Sequence, residues 1–243
     1  MPLLTLIQGR DLKMKFFLFA IFLLSTFSLF SDGVTYWDYT IIEGNEIRLL
    51  GSVGRGVIAT SVLKPNITET DPFYDEKLHR YTSDKAFDNN LTTAWVEGEK
   101  DEGIGEKIIF VIPEGTTLLE IANGLQTNEK LFKDNNRIKD FSITLYFGFH
   151  YSFSQMGPVF YFFPYNSWMK KYSFKDSMGY QSFPINIDWK DFNFKGNEKL
   201  KTLSDDLFTM GKRQAEAILM IEIKSVYKGD KYNDTAISEI RVK

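Results

Sequence analysis

Short apolar runs separated by turn-forming residues constrain the fold of this chain more than any other feature. The runs are Lys107–Ile112, Ile138–Phe147, Ala217–Tyr227 and Ile237–Val242. Gly, Asn, Asp and Pro residues stand between them. Short runs rich in Ile, Val and Phe are typical of strands, and a series of them separated by turns predicts an all-β sandwich. One helix is predicted near Glu198–Ala217, where leucines recur at helical spacing.

Composition excludes several kinds of site. Cysteine is absent from the 243 residues, which excludes disulfides, thiolate catalysis and zinc–thiolate centres. The formal net charge of −3 argues against nucleic-acid binding, because that binding depends on clustered Lys and Arg. Hydrophobic residues make up 43% of the chain, which is enough for a sizeable core.

The N-terminus has the features of a secretory signal. Residues 14–31 read MKFFLFAIFLLSTFSLFS, a basic start followed by a short apolar run and small hydroxyl residues. We therefore expect translation to start at Met14, residues 1–31 to be removed, and the protein to reach the periplasm, the cell surface or the medium. The alternative is a retained span, but spanning needs about 20 apolar residues and this run is shorter. The mature chain is expected to have no stable membrane span.

The stretch from 147 to 194 is unusually aromatic, with 17 of its 48 residues being Phe, Tyr or Trp. One interpretation is an insertion, at about 147–207, whose rings pack on one another and on the sandwich. The other is a sugar-binding surface, because aromatic rings stack on the apolar faces of sugars. Trp168 is the candidate ligand contact under the second interpretation.

The segment Ala86–Trp95, AFDNNLTTAW, resembles the A-x-D-G-N-x-x-T-x-W segment of discoidin domains, also called coagulation factor 5/8 type C domains. Asp88, Asn90, Thr93 and Trp95 fall on the matching positions. Asn89 stands in place of the usual Gly, and Asn tolerates the left-handed backbone that such a turn needs. Trp95 is expected in the core, because it leads from the turn into a strand.

Further segments resemble a narrower bacterial group, the NADase-type glycan-binding domains of galactose-binding-like fold. They are 95–98 (WVEG), 103–106 (GIGE), 123–124 (NG), 136–139 (NRIK) and 226–240. We expect a domain over 52–243, preceded by a lead-in at 32–51. The catalytic domain of the toxins that name this group is not part of the resemblance, so NAD cleavage is not implied.

The resemblance implies a jelly-roll sandwich with ligand-binding loops at one end and a structural calcium ion. The residues that match its calcium site are Asp88, Thr93 and Glu239, with oxygens around Asn90 as further donors. Calcium takes six to eight oxygen ligands, which a turn and a distant carboxylate can help to supply. The alternative is that Asp88 only caps the turn and Glu239 pairs with Lys or Arg.

Two further positions are candidates for ligand contact. Asn123 lies in one of the matching segments. The planar guanidinium of Arg137 could hold a ligand hydroxyl or carboxylate, or it could bind loop carbonyls within the fold.

Little in the sequence indicates catalysis. The histidines, His79 and His150, do not have a metal-ligand spacing. The acidic pairs Glu97/Glu99, Asp101/Glu102 and Asp205/Asp206 are expected to be solvated, which gives no reason for a raised pKa. We therefore expect a non-catalytic module that binds a glycan or glycoconjugate. The alternatives are a module that docks another envelope protein and, third, a hydrolase.

Overall fold

A computed structural model describes residues 39–43, 46–50, 57–154, 157–205 and 214–243, all within the unit Trp37–Lys243. The predicted signal segment at 1–31 and most of the predicted lead-in at 32–51 lie outside the described residues. The predicted domain boundary at residue 52 therefore stays a prediction.

The described residues form eleven strands. These are β1 Tyr39–Glu43, β2 Glu46–Leu50, β3 Val57–Ala59, β4 Trp95–Val96, β5 Lys107–Ile112, β6 Leu118–Asn123, β7 Asn136–Ser154, β8 Gly157–Ser173, β9 Tyr180–Pro184, β10 Glu216–Tyr227 and β11 Thr235–Val242. The helices are α1 Tyr74–Leu78, α2 Glu129–Asp134 and α3 Trp189–Thr202, with a 3₁₀ turn at Ser83–Phe87. Each of the four apolar runs lies within or on a strand.

The strands form two layers. The larger has the order β1-β2-β8-β7-β10-β5-β3, with antiparallel neighbours. The smaller has the order β9-β6-β11-β4, also antiparallel. A short parallel pairing of Thr235 and Ala236 in β11 with Asn136 and Arg137 in β7 joins the two layers. Strand β11 therefore connects the two halves of the sandwich.

Aromatic packing between the two layers is centred on Phe141 of β7, which is 1% exposed. Its ring centroid lies 5.0 Å from that of Phe183 in β9 and 4.9 Å from that of Phe174. Fully burying a side chain of this size contributes about 1.5–3 kcal/mol through the hydrophobic effect. Trp95 is also in this core, fully buried, as the sequence predicted.

The aromatic stretch is built into the sandwich. Strands β7 and β8 form a long hairpin that pairs from Asp140↔Ser173 to Ser154↔Gly157. Phe174 and Phe183, which also belong to the stretch, lie in the core between the layers. A deletion of residues 150–192 would therefore remove side chains of the core, and would not leave the rest of the sandwich unchanged.

Helix α3, which overlaps the helix predicted near Glu198–Ala217, begins and ends earlier than predicted. Helix α3 begins after Asp188, whose carboxylate accepts a 3.0 Å hydrogen bond from the backbone N–H of Asp191, and it ends at Thr202. Asp188 acts as an N-cap, which satisfies a helical N–H that would otherwise lack a partner. Residues 206–213 lie outside the described part, and Glu216 and Ala217 belong to β10.

The predicted fold class, an all-β sandwich, is confirmed by this arrangement of strands. Among the described residues, no helix is both long enough and apolar enough to cross a membrane.

Candidate functional site

The turn after the 3₁₀ segment is organised by Asp88. Its Oδ1 accepts a 2.9 Å hydrogen bond from the backbone N–H of Asn90. The hydroxyl of Thr93 lies 2.8 and 2.9 Å from the two carboxylate oxygens and 2.8 Å from the carbonyl oxygen of Asn90. Since a hydroxyl has one proton, Thr93 can donate to only one of these acceptors at a time. Asp88 thus caps the turn, one of the two roles that the sequence left open.

Asn89 has a φ of 61°, in the left-handed region. An ordinary residue avoids this region because Cβ approaches the following carbonyl oxygen, whereas Asn enters it more readily. Asn89 can therefore take the position that Gly occupies in discoidin domains without changing the backbone of the turn.

Strand β11 passes beneath this turn and carries Glu239. The side chains of Ile237 and Ile240 are both buried in the core. In a regular strand, side chains three residues apart point to opposite faces, so the alternation must break between these two. The break lies beside Ser238, whose hydroxyl donates a 2.8 Å hydrogen bond to the carbonyl of Gly124. Glu239 then lies on the face opposite the core, under the turn.

Glu239 is 1% exposed, and its Oε2 has no hydrogen-bond partner among the described residues. Burial and, after it, the charge of Asp88 together raise the pKa of Glu239 to about 7, against the lowering effect of the backbone amides of Asn89 and Asn90 and of the charge of Arg241. The two carboxyl groups are therefore close enough to repel each other. The described part of the chain contains no ion pair to Glu239, so pairing with Lys or Arg is not seen.

This pair of carboxylates, here called the Asp88–Glu239 clasp, fits a hard cation in one respect. An unpartnered buried carboxylate oxygen next to a second carboxylate is the kind of donor that calcium takes, and carbonyl oxygens and waters can complete its ligands. Among the described residues, however, no cluster of three or more His, Cys, Asp or Glu could hold a metal.

Beside the clasp lies a cleft of about 520 Å³, lined in part by Phe87, Asn89, Glu239 and Arg241. The guanidinium of Arg241 lies 4.2 Å from the ring centroid of Tyr180. These two residues could not be singled out from the sequence, because their approach depends on sheet pairing, which brings β9 and β11 to either side of β6.

A second buried carboxylate, Glu97, was also missed. It is fully buried, so the expectation that Glu97 and Glu99 are both solvated is wrong for Glu97. Its Oε1 accepts a 3.1 Å hydrogen bond from the backbone N–H of Thr235, and its Oε2 accepts one of 2.8 Å from that of Glu99. Burial raises its pKa to about 7 despite these two bonds.

Room for Glu97 comes from Gly103, where an added Cβ would lie 2.5 Å from Cγ of Glu97. Gly103 has a φ of 70°, which an L side chain rarely adopts. The position of Glu97 directly after a short strand, with glycines at 98 and 103, was the signal that could have indicated a buried carboxylate.

The three predicted ligand contacts, Asn123, Trp168 and Arg137, are buried, and their polar side-chain atoms form hydrogen bonds within the protein. Asn123 is 1% exposed and exchanges hydrogen bonds of 2.7 and 2.9 Å with the backbone of Ile138. Trp168 donates from Nε1 to the carbonyl of Asn186 at 2.9 Å. Ligand contact by either residue stays a prediction, and a polar contact would require one of these bonds to break.

All three guanidinium nitrogens of Arg137 donate hydrogen bonds within the protein. Its Nε and Nη2 donate to the two carboxylate oxygens of Asp176 at 3.0 and 2.7 Å. Its Nη1 donates to the carbonyls of Asn135 and Lys228 at 2.8 and 3.1 Å. This is the structural role that the sequence offered as an alternative, in which the planar fork satisfies loop carbonyls.

Comparison with solved structures gives only distant likenesses. The arabinofuranosyltransferase AftD from Mycobacteria is 8% identical with a TM-score of 0.40, over 81% of this chain and 11% of that one. The CBM32 of AlyQ, solved with 4,5-unsaturated mannuronic acid, is 13% identical with a TM-score of 0.34, over 77% and 93%. A Ruminococcus gnavus GH29 fucosidase, solved with fucose, is 12% identical with a TM-score of 0.35, over 76% and 24%. This chain thus spans about a tenth of AftD.

No curated protein matches the sequence. A sequence family does match, over residues 62–156, and its description is NAD glycohydrolase translocation F5/8 type C domain. The match spans the Asp88 turn, Trp95 and Glu97, and it ends beyond β7. The resemblance predicted from the sequence is thereby confirmed: residues 62–156 match the model of the NAD glycohydrolase translocation F5/8 type C domain family.

Proposed function

We propose that this protein is a non-catalytic module that binds carbohydrate. The observation that carries the proposal is the family match over residues 62–156, the stretch that contains the Asp88 turn. The two-layer β-sandwich around that turn supports it, because such a scaffold positions loops for binding. Fold alone does not determine function, so the proposal needs a direct test.

A non-catalytic role is supported by the chemistry of Glu97, a carboxyl group that is buried and has a raised pKa. Such a group can be a general acid in a glycosidase, which uses a pair of carboxyl groups. Both oxygens of Glu97, however, already accept hydrogen bonds from backbone amides. This arrangement suits a structural acceptor better than a proton donor to a substrate.

A glycan array probed with the full chain tests the function. We expect saturable binding to at least one class of glycan, and no hydrolysis product when the bound glycan is incubated with the protein. A Phe73→Ser variant is a useful control, because Phe73 is 61% exposed and removing it should reduce nonspecific apolar adsorption only. The absence of saturable binding to every glycan would contradict the proposal.

We propose further that the Asp88–Glu239 clasp holds a calcium ion, with Thr93 and the carbonyl of Asn90 as neighbouring oxygen donors. The ion would neutralise the repulsion between two close carboxylates and tie the turn to β11. In a chain without cysteine, such a tie would replace the stabilisation that a disulfide provides in other exported domains.

Thermal unfolding with and without calcium tests the ion. The melting temperature should rise with calcium in the full chain, and the rise should disappear in Asp88→Asn and Glu239→Gln. Glu97→Gln is the matched control, because it changes a buried glutamate outside the clasp and should retain the rise. A melting temperature that is the same with calcium and with chelator would exclude a calcium role.

Export is also a proposal, since the residues that bear on it lie outside the described part. We propose that residues 1–31 are cleaved and that the mature protein works outside the cytoplasm. The mature N-terminus of the expressed protein, read by mass spectrometry, decides this: an intact Met1 or Met14 would contradict cleavage.

A further inference from the structure

The outer face of the smaller layer carries a row of polar side chains, one from each of three neighbouring strands. Ser182 of β9 pairs with Glu120 of β6, and Glu120 pairs with Arg241 of β11. Residues that pair directly across antiparallel strands lie on the same face of a sheet. Leu119 and Ile240, which adjoin the row, are buried in the core between the layers. Side chains alternate between the two faces along a strand, so the row lies on the face away from the core.

Arg241 is the member of this row that has no charged partner. Glu120, the carboxylate directly opposite it, instead pairs with Nζ of Lys243 at 2.5 Å. Among the described residues, no carboxylate or carbonyl oxygen accepts a hydrogen bond from the guanidinium of Arg241, which is partly exposed. A guanidinium has five N–H donors in a planar fork, so Arg241 has donors to offer to a ligand.

The ring of Tyr180 holds this guanidinium in place. Tyr180 lies two residues before Ser182 in β9 and therefore on the same face, and its ring centroid is 4.2 Å from Cζ of Arg241. A guanidinium that lies over an aromatic ring keeps its N–H groups at the edge of its own plane, where they can still donate. The contact restricts the motion of the side chain, so less freedom is lost when a ligand binds.

The charges around Arg241 determine which ligand the row favours. Lys243 and Glu120 offset each other as an ion pair. Glu239, two residues before Arg241, points to the same face but is 1% exposed beneath the Asp88 turn, which shields it from a ligand at the surface. Of the charged residues that the described part of the smaller layer presents on this face, Arg241 is thus the exposed one that lacks a counter-charge.

A carboxylate is the group that best matches an unpaired guanidinium, because its two oxygens accept two parallel N–H bonds. In a glycan, carboxylates belong to uronic acids. The exposed hydroxyl of Ser182, in the same row, can bind a neighbouring sugar hydroxyl. We propose that the outer face of the smaller layer binds the carboxylate of a uronic acid in an acidic glycan, through the guanidinium of Arg241. The proposal rests on the carbohydrate-binding function and specifies the class of glycan and where it is held.

Ligands that differ only in the carboxylate test the class. Isothermal titration calorimetry of the full chain is carried out with oligogalacturonate, oligomannuronate and oligoglucuronate, and with the methyl ester of each. We expect saturable binding of at least one acid, at least about tenfold tighter than binding of its methyl ester, because hydrogen bonds to a charged group are the stronger ones.

Substitutions in and around the row test the site. Arg241→Gln should weaken binding of that acid at least about tenfold. Lys243→Gln should also weaken it, because Glu120 is then released to pair with Arg241. Glu120→Gln should leave the binding as tight as before or tighter, a result that a purely structural role of Arg241 does not predict. Arg80→Gln, at an exposed position, is the control for net charge, and an unchanged melting temperature shows that a variant is folded.

The outcomes separate the site from the function. Uronate binding that is the same in Arg241→Gln would overturn this row as the site. Equal binding of acid and methyl ester, or binding of neutral glycans alone on the array, would overturn the acidic class while retaining the carbohydrate-binding function. The absence of saturable binding to every glycan on the array would overturn both.

Discussion

The carboxylate of Glu97 accepts a hydrogen bond from the backbone N–H of Thr235, which lies 138 residues later in the chain. The N–H of Glu97 itself donates to the carbonyl of Thr235 at 3.0 Å. Residue 97 is thus bonded to the first residue of β11 through both its backbone and its side chain. Glu97 therefore fixes the start of β11 relative to the loop at 98–106.

Replacing Glu97 with Gln should destabilise the fold. The amide has one acceptor oxygen where the carboxylate has two, so one of the two backbone donors loses its partner. We expect a loss of about 1–3 kcal/mol in the free energy of unfolding at about pH 8, measured by chemical denaturation. Glu99→Gln, at an exposed position, should change it by less than about 0.5 kcal/mol. Equal stability of the two variants would show that the bonds of Glu97 contribute little.

Glu239 should give the protein a pH-dependent stability. Its pKa is about 7 in the fold, against an ordinary value of 4.5, so the folded chain holds this proton more tightly than the unfolded chain. Its contribution to stability is therefore fully present below about pH 4.5 and is lost as pH rises through about 7. The loss should be on the order of 3 kcal/mol, because a pKa difference of one corresponds to about 1.4 kcal/mol.

The comparison of the parent chain with Glu239→Gln isolates this effect. In chelator, the variant should be the more stable at about pH 8, and the difference should shrink toward about pH 5. His79, whose pKa is lowered by burial, gives the opposite slope but is present in both proteins and cancels. A difference that does not depend on pH would contradict the raised pKa of Glu239.

Arg137→Lys should cost about 2–3 kcal/mol, because a lysine cannot reproduce the two-pronged bond to Asp176 and still reach the carbonyls of Asn135 and Lys228. Urea denaturation at neutral pH measures the change. Arg80→Lys, at an exposed position, is the control and should be close to neutral. If both variants unfold at the same urea concentration, the bonds around Arg137 are not important for stability.

The left-handed backbone of Asn89 can be tested with two substitutions. Asn89→Gly should leave the melting temperature nearly unchanged, because Gly adopts a positive φ without strain. Asn89→Ala should lower the stability by about 1 kcal/mol, because Cβ then clashes with the following carbonyl. The side chain at 89 is exposed, so no loss of packing confuses the comparison. Equal effects of the two variants would exclude backbone strain as the cause.

Local sequence signals predicted the parts of the structure that depend on local physics. The strand-forming runs follow from a few adjacent residues, and so does the burial of Trp95, which leads from a turn into a strand. The positive φ of Asn89 was expected from the family resemblance, in which Gly occupies this position. The approach of Asp88 to Glu239 followed from the family resemblance, since nothing in either residue indicates a partner 151 positions away.

Features that depend on distant pairing were not predictable in the same way. The burial of Glu97 requires β11 to lie against β4, and Arg137 meets Asp176 only because β8 returns alongside β7. The start of α3 was missed because leucine spacing drew attention to later residues, while the capping side chain of Asp188 sets the actual start.

Strand β11 has a consequence for how this protein matures. It pairs with β4, β6 and β7, supplies the partner of Glu97 and carries Glu239, yet it follows all of them in the chain. In a nascent chain that has been synthesised only as far as β10, the Asp88 turn would lack its contact with Glu239 of β11. Contacts of such long sequence separation are slow to form, so closure of the sandwich must follow synthesis of its final strand.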